Sequence, residues 1–142
     1  MDKLKLIFEK GGVIYVDLFD DKSEFIEKIK KIMPIKSQIY HTRWCGREIY
    51  VPIKADIRSI RSDLTRYVSK FDFTYWRNDD GKEDTISIFY GAESLGYYKG
   101  PLFVEILGRV SPEQESILDE IGERIWLEGI ELVNIELADR SK

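Results

Sequence analysis

The residues best suited to chemistry in this sequence lie close together, between positions 40 and 47. His41 is the only histidine, and Arg43 follows it two positions later. We expect both side chains to project from one side of a strand, since alternate strand residues share a face. An imidazole beside a guanidinium can bind a carboxylate or a peptide carbonyl through charge-assisted hydrogen bonds. The alternative is a pair of solvated surface side chains that serve solubility alone.

Aromatic side chains form a second group of candidates. They are Tyr75, Trp76, Phe89, Tyr90, Tyr97 and Tyr98. Ligand pockets are often lined by aromatic rings, although about half of this set is expected in the core. Tyr97 and Tyr98 lie in a glycine-punctuated loop, where large rings serve binding more readily than packing. We therefore predict a ligand-binding site that consists of His41, Arg43, Tyr90, Tyr97 and Tyr98.

Metal and cofactor chemistry has little support in the sequence. One histidine and one cysteine cannot build a typical zinc cage, and the carboxylates show no ligand spacing. Cys45 lies near Arg47, which favours a thiolate, but no second histidine is present to act as a base. No glycine-rich phosphate loop or dinucleotide fingerprint occurs. We expect an incidental cysteine, no metal and no cofactor.

Length, charge and cysteine content limit the class of protein. A chain of 142 residues is the usual size of one domain, so we expect a single domain over 1–142. The net charge of −4 argues against general nucleic-acid binding, which needs a positive field. No segment approaches the roughly 20 apolar residues of a membrane span. One cysteine is compatible with a reducing cytosol, so we expect a cytoplasmic protein without nucleic-acid or membrane partners.

Alternating apolar and polar residues predict a mainly β protein. Strands are predicted over 3–9, 13–18, 37–44, 48–52, 71–76, 85–90, 102–110 and 130–137. Helical spacing of apolar residues, with capping residues before them, predicts two helices near 22–33 and 112–127. Residues 54–70 are interpreted as a long loop with a helical turn.

Four segments in this order resemble the cyclophilin-like family of small, largely uncharacterised bacterial and archaeal proteins. They are RWCGREIY at 43–50, DFTYW at 72–76, ISIFYG at 86–91 and ILGRV at 106–110. The resemblance covers roughly residues 3–110 and implies a closed, mostly antiparallel β-barrel, to which the periodicity of the sequence adds the two predicted helices. Residues 111–128 are helical where the resemblance implies a shorter connection, so we interpret that helix as an addition of this protein.

The resemblance also bears on activity. Cyclophilins isomerise prolyl bonds with a strand arginine, a glutamine, aromatic residues and a histidine. The segment YHTR at 40–43 is similar to their arginine segment, but one extra residue separates His41 from Arg43 and changes which side chains share a face. No glutamine segment matches. The sequence favours a binding module for a small molecule or an extended peptide, without covalent chemistry. The alternative is a divergent peptidyl-prolyl isomerase in which Arg43 polarises the prolyl carbonyl.

A homodimer is a further expectation. Residues 54–70 carry five basic and two acidic side chains, whereas residues 112–142 carry nine acidic and three basic ones. The last predicted strand has apolar residues on both faces. The preceding helix or a second subunit would have to cover the outer face. A solvated loop and a solvated helix face are the alternative explanation of the charge split.

Overall fold

The computed structural model describes residues 2–44, 46–55, 63–78, 83–97 and 99–138. Over these residues the chain forms twelve strands and two α-helices. In chain order they are β1 (Lys3–Phe8), β2 (Val13–Leu18), α1 (Ser23–Lys30), β3 (Ile35–His41), β4 (Glu48–Ile53), β5 (Tyr67–Val68), β6 (Asp72–Trp76), β7 (Asp84–Phe89), β8 (Glu93–Ser94), β9 (Gly96–Tyr97), β10 (Gly100–Pro101), β11 (Glu105–Val110), α2 (Glu115–Glu128) and β12 (Glu131–Leu137).

Eight of the described strands close into an antiparallel barrel in the order β1-β12-β3-β4-β7-β6-β11-β2. The period-two pattern of the sequence produces this interior, as β1 illustrates. Leu4, Leu6 and Phe8 are buried inside the barrel, whereas the residues between them are partly exposed. Burial of such a stripe favours the barrel by roughly 2 kcal/mol per large side chain. The mainly β fold with a closed barrel and two helices, predicted from the sequence, is confirmed.

The two helices close opposite ends of the barrel. Phe25 of α1 packs against the ring of Tyr75 with 5.9 Å between centroids, near the end where Ile53 pairs with Asp84. Tyr90 follows the other end of the β4–β7 pairing, where Glu48 pairs with Phe89, and α2 lies against it. Neither helix of the described residues is both long and apolar enough to cross a membrane.

A buried ion pair fixes α2 on the barrel. Arg124 donates two hydrogen bonds to the Glu131 carboxylate, from Nε to Oε1 at 2.8 Å and from Nη2 to Oε2 at 3.0 Å. Arg124 also donates to the Gly11 carbonyl in the β1–β2 turn, and the Lys10 amide donates to Glu131. Removing one partner of such a pair costs about 3–5 kcal/mol, because the other charge stays buried.

Short strands form an outer layer over β6 and β7. β5 pairs with β8 and β9 pairs with β10, and apolar side chains beneath them form a second cluster. Of the loop predicted over 54–70, residues 56–62 lie outside the described residues. The described part at 63–70 contains β5 and no helical turn, so that prediction finds no support there. The strand predicted over 102–110 begins only at Glu105.

The outer face of β12 is not covered by α2. Leu132 on this face is 53% exposed, and Ile130 just before the strand is 50% exposed. Leu127, near the end of α2, is 78% exposed. The preceding helix therefore leaves this face exposed.

Candidate functional site

His41 lies at the end of β3 and is buried under the last turns of α2. Its Nδ1 is 2.8 Å from the Thr42 carbonyl oxygen, and its Nε2 is 2.6 Å from the Tyr90 hydroxyl. A carbonyl oxygen only accepts, so Nδ1 carries the proton and Nε2 accepts from Tyr90. Burial lowers the pKa of His41, and the nearby Arg43 charge lowers it further. The ring is therefore a neutral structural link between β3 and Tyr90.

Tyr90 directly follows β7 and fills the gap between the barrel and α2. A Cβ added at Gly122 would lie 2.5 Å from the Tyr90 ring, so only glycine permits this approach. Burial raises the pKa of Tyr90, which keeps its hydroxyl protonated as a donor to His41. Two of the predicted site residues, Tyr90 and His41, are thus joined by a direct hydrogen bond.

Arg43 lies in the bend after β3, because the strand ends at His41 rather than continuing to Trp44. Its guanidinium carbon is 4.2 Å from the ring centroid of Trp126 on α2. His41 packs on the same ring at 4.8 Å. His41 is buried and Arg43 is exposed, so the expected common side of one strand is wrong, although both side chains contact Trp126.

The Arg43 guanidinium is held but not neutralised. It makes a long contact with the Trp126 carbonyl oxygen, at 3.5 Å from Nη2. Among the described residues, no carboxylate lies within ion-pair distance of it. Stacking on the indole occupies one face of the guanidinium and leaves N–H groups for another acceptor.

Trp44 follows Arg43 in the chain, and its ring contacts a further pair of aromatic residues. Trp44 is 52% exposed, and its ring is tilted by 52° against Tyr50 with 5.8 Å between centroids. Tyr50 in turn stacks on Tyr40, its partner across β3 and β4, at 5.4 Å. We call Arg43, Trp44, Tyr50 and Trp126 the aromatic corner. Sequence reasoning missed three of its members, although the exposed tryptophan next to Arg43 was a usable signal.

Carboxyl groups lie next to the aromatic corner. Glu48 shares the outer face of β4 with Tyr50, is buried, and is hydrogen-bonded to Ser87. Burial, together with the nearby Glu93 carboxylate, raises the pKa of Glu48 to about 7, against the opposing effect of the Ser87 hydrogen bond. Glu93 Oε1 accepts the Arg47 backbone N–H at 2.9 Å. The Glu93 carboxylate occupies the space that a side chain at position 46 would need, so this turn requires glycine.

Of the remaining predicted site residues, Tyr97 is not part of this arrangement. Tyr97 lies on β9 in the outer layer, with its ring 6.2 Å from that of Trp76. Trp76 belongs to the end of the β6–β7 ladder that is opposite Tyr90. Tyr98 and Cys45 lie outside the described residues. In the described part of the chain, no group of three or more His, Cys, Asp or Glu side chains could hold a metal ion.

Comparison with known proteins begins with a family model. The model described as Cyclophilin-like matches residues 2–128. This range includes α2, so the interpretation of that helix as an addition of this protein is wrong. Comparison with curated protein sequences gave no match.

Two solved structures share the fold. The structure of McbB in complex with tryptophan has a TM-score of 0.72 and 21% identity, over 94% of this chain and 44% of the McbB chain. The chain thus spans less than half of McbB. The solution structure of the hypothetical protein AF2241 from Archaeoglobus fulgidus has a TM-score of 0.57 and 21% identity, over 96% of this chain and 95% of that one. The family match over most of the length, on a closed barrel with two helices, shows that the chain belongs to the Cyclophilin-like family.

Proposed function

We propose that the protein is a binding module for a small molecule that carries a carboxylate and an aromatic ring, bound at the aromatic corner. The observation that carries the proposal is the Arg43 guanidinium, which is stacked on Trp126 and has no carboxylate partner among the described residues. Arginine binds carboxylates through two parallel hydrogen bonds, and a preoriented guanidinium loses less entropy on binding.

The exposed indole of Trp44 supports the aromatic part of the ligand. It stands in a bend, is 52% exposed and contacts the Tyr50 ring at a tilt of 52°. A planar ring packed on such a surface contributes about 1 kcal/mol beyond the area it buries. Tryptophan, present in the McbB structure, has both a carboxylate and an aromatic ring. Tryptophan-like carboxylates are therefore the first ligands to test.

An extended peptide is the other ligand class that the sequence favours. A peptide would offer backbone carbonyls and a terminal carboxylate to Arg43, and it would span a longer surface. The small molecule is preferred because the proposed anchor is one guanidinium, which is stacked on Trp126 and adjoins the exposed Trp44 in the chain.

We also propose a homodimer and a cytoplasmic location. The exposed apolar residues Leu127, Ile130 and Leu132 support a second copy, because clustered apolar side chains on a surface often mark an interface. The cytosol is supported by the single cysteine.

The test is a titration with indole-3-propionate, followed by NMR and calorimetry. We expect saturable binding that Arg43→Ala weakens about tenfold or more, the effect of losing a charged hydrogen-bonded pair. Trp44→Ala should weaken it as well. Arg109→Ala is the matched control, since Arg109 is an exposed arginine near the ring of Phe71 elsewhere on the barrel. Absence of binding, or equal losses in the Arg43 and Arg109 variants, would disprove the proposal.

A further inference from the structure

We infer that β3 carries a docking edge for an acidic, extended peptide segment of a partner protein. β3 pairs with β12 along residues 35–39, but it pairs with β4 only at its last two residues, Tyr40 and His41. β4, in contrast, pairs with β7 over all six of its residues. Among the described strands, the first part of β3 is therefore paired on one side only. We call residues 35–39, on the side away from β12, the open edge.

The backbone groups of Lys36 and Gln38 point to the open edge. Thr42, just after the strand, donates its N–H to the Glu48 carbonyl of β4 at 3.1 Å. Alternate residues of an antiparallel strand bond to the same neighbour, so the even-numbered residues of β3 face away from β12. Within the described residues, the Lys36 N–H and C=O have no backbone partner on that side. Lys36 and Gln38 are both exposed, so the open edge lies at the surface.

Two features of the sequence end the pairing between β3 and β4. If the register continued, Gln38 would face Pro52, which has no N–H to donate. The next position of this kind would set Lys36 against Lys54, and like charges directly opposite each other are unfavourable. The open edge therefore follows from the residue types on both strands.

The charge of the open edge indicates its occupant. Lys36 and Lys54 are exposed, and in the described part of the chain neither forms an ion pair. Residues 35–41 and 49–54 contain no Asp or Glu. Sheet edges bind extended peptides through backbone hydrogen bonds, and lysines on an edge discourage pairing with apolar strands. An acidic strand would instead bring carboxylates to these ammonium groups, which selects it over neutral strands.

The first measurement is amide hydrogen exchange in the free protein, followed by NMR. The Lys36 amide should exchange at least about tenfold faster than the Ser37 and Ile39 amides, which face β12. Equal protection of Lys36 and Ser37 would show that the edge is closed, and it would overturn the inference before any ligand is added.

The second measurement is the binding of a pentapeptide of alternating glutamate and valine with blocked termini. We expect saturable binding that slows exchange of the Lys36 amide and weakens as salt rises. Lys36→Pro removes the N–H on the open edge, where proline is tolerated, and should weaken binding at least about tenfold. Continued protection of Ser37 and Ile39 would verify that the barrel of this variant is intact.

A charge reversal keeps the backbone groups and tests the choice of occupant. Lys36→Glu should weaken the glutamate peptide and favour the same peptide with lysine in place of glutamate. Lys5→Glu is the matched control, because Lys5 lies on β1, which pairs with strands on both sides. It should change neither affinity.

Three further outcomes would overturn the inference. They are no binding of the glutamate peptide at millimolar concentration, equal affinity for its glutamine analogue, and equal losses in the Lys36→Glu and Lys5→Glu variants. A dimer that Lys36→Pro dissociates would make a second copy the occupant and reject the acidic peptide. Arg43→Ala should leave peptide binding unchanged, so this inference stands or fails independently of the proposed function.

Discussion

The Tyr90 hydroxyl donates a hydrogen bond to His41 Nε2 at 2.6 Å and so joins the ends of β3 and β7 under α2. The phenylalanine variant Tyr90→Phe keeps the ring against Gly122 but leaves the buried His41 Nε2 without a donor. We expect the free energy of unfolding to fall by about 1–3 kcal/mol, the usual cost of an unsatisfied buried acceptor. Urea denaturation would measure it. Tyr67→Phe is the control, since Tyr67 is 68% exposed, and equal effects of the two variants would contradict the role of the hydrogen bond.

Glu48 should make the stability of the protein depend on pH. Its folded-state pKa of about 7 exceeds the unfolded value of about 4.3, so the folded state binds this proton more tightly. The contribution of Glu48 therefore favours folding at acid pH and is lost as pH rises from about 4.3 to about 7. The loss is on the order of 3 kcal/mol.

The variant Glu48→Gln isolates this contribution, because its amide does not titrate. The stability of the variant relative to the wild type should increase between about pH 5 and about pH 8. Denaturation curves at several pH values test this. A difference that stays constant across that range would show that Glu48 keeps an ordinary pKa in the folded protein.

The exposed outer face of β12 leads to a prediction about assembly. If a second copy covers Leu132, the variant Leu132→Lys should shift a dimer towards the monomer mass of 16.7 kDa. Light scattering at low and high salt would show the shift. A dimer held by opposite charges should weaken as the screening length falls to about 8 Å. A wild-type monomer at high protein concentration would rule the dimer out, and a salt-insensitive dimer would reject only the electrostatic cause.

Prolyl isomerisation is expected to be absent. Arg43 lies in a bend and is stacked on Trp126, so it does not stand on a barrel strand as the catalytic arginine of cyclophilins does. An NMR exchange measurement on a proline peptide should show no acceleration above background. Acceleration at the level of a cyclophilin, lost in Arg43→Ala, would instead support the rival isomerase function.

The barrel could be predicted from the sequence because the apolar patterns that indicate its strands and helices are local. Alternation in β1 places Leu4, Leu6 and Phe8 inside, and helical spacing with capping residues places α2 to within about three residues of its start. Such patterns depend only on neighbours along the chain. They do not reveal which elements lie side by side.

The candidate site was harder to predict because its geometry depends on long-range contacts. β3 ends at His41 even though β-forming residues continue to Trp44. Glu93, 46 residues from Arg47, holds the following turn through its carboxylate. Trp126 follows the buried Ile125 in the last turn of α2 and contacts Arg43, 83 residues earlier in the chain. Tyr97 has the composition of a binding loop, but it packs on Trp76.

The pairing of β1 with β12 has a consequence for how the molecule is made. These two strands are the first and the last of the described chain, and Leu4 pairs with Leu137. During synthesis the barrel cannot close until β12 has left the ribosome. Trp126 belongs to the same late segment, so the aromatic corner is completed only after synthesis has passed α2. A nascent chain would therefore expose the partners of β12 on β1 and β3 while waiting for it, and chaperone binding in that interval would protect the open sheet edges.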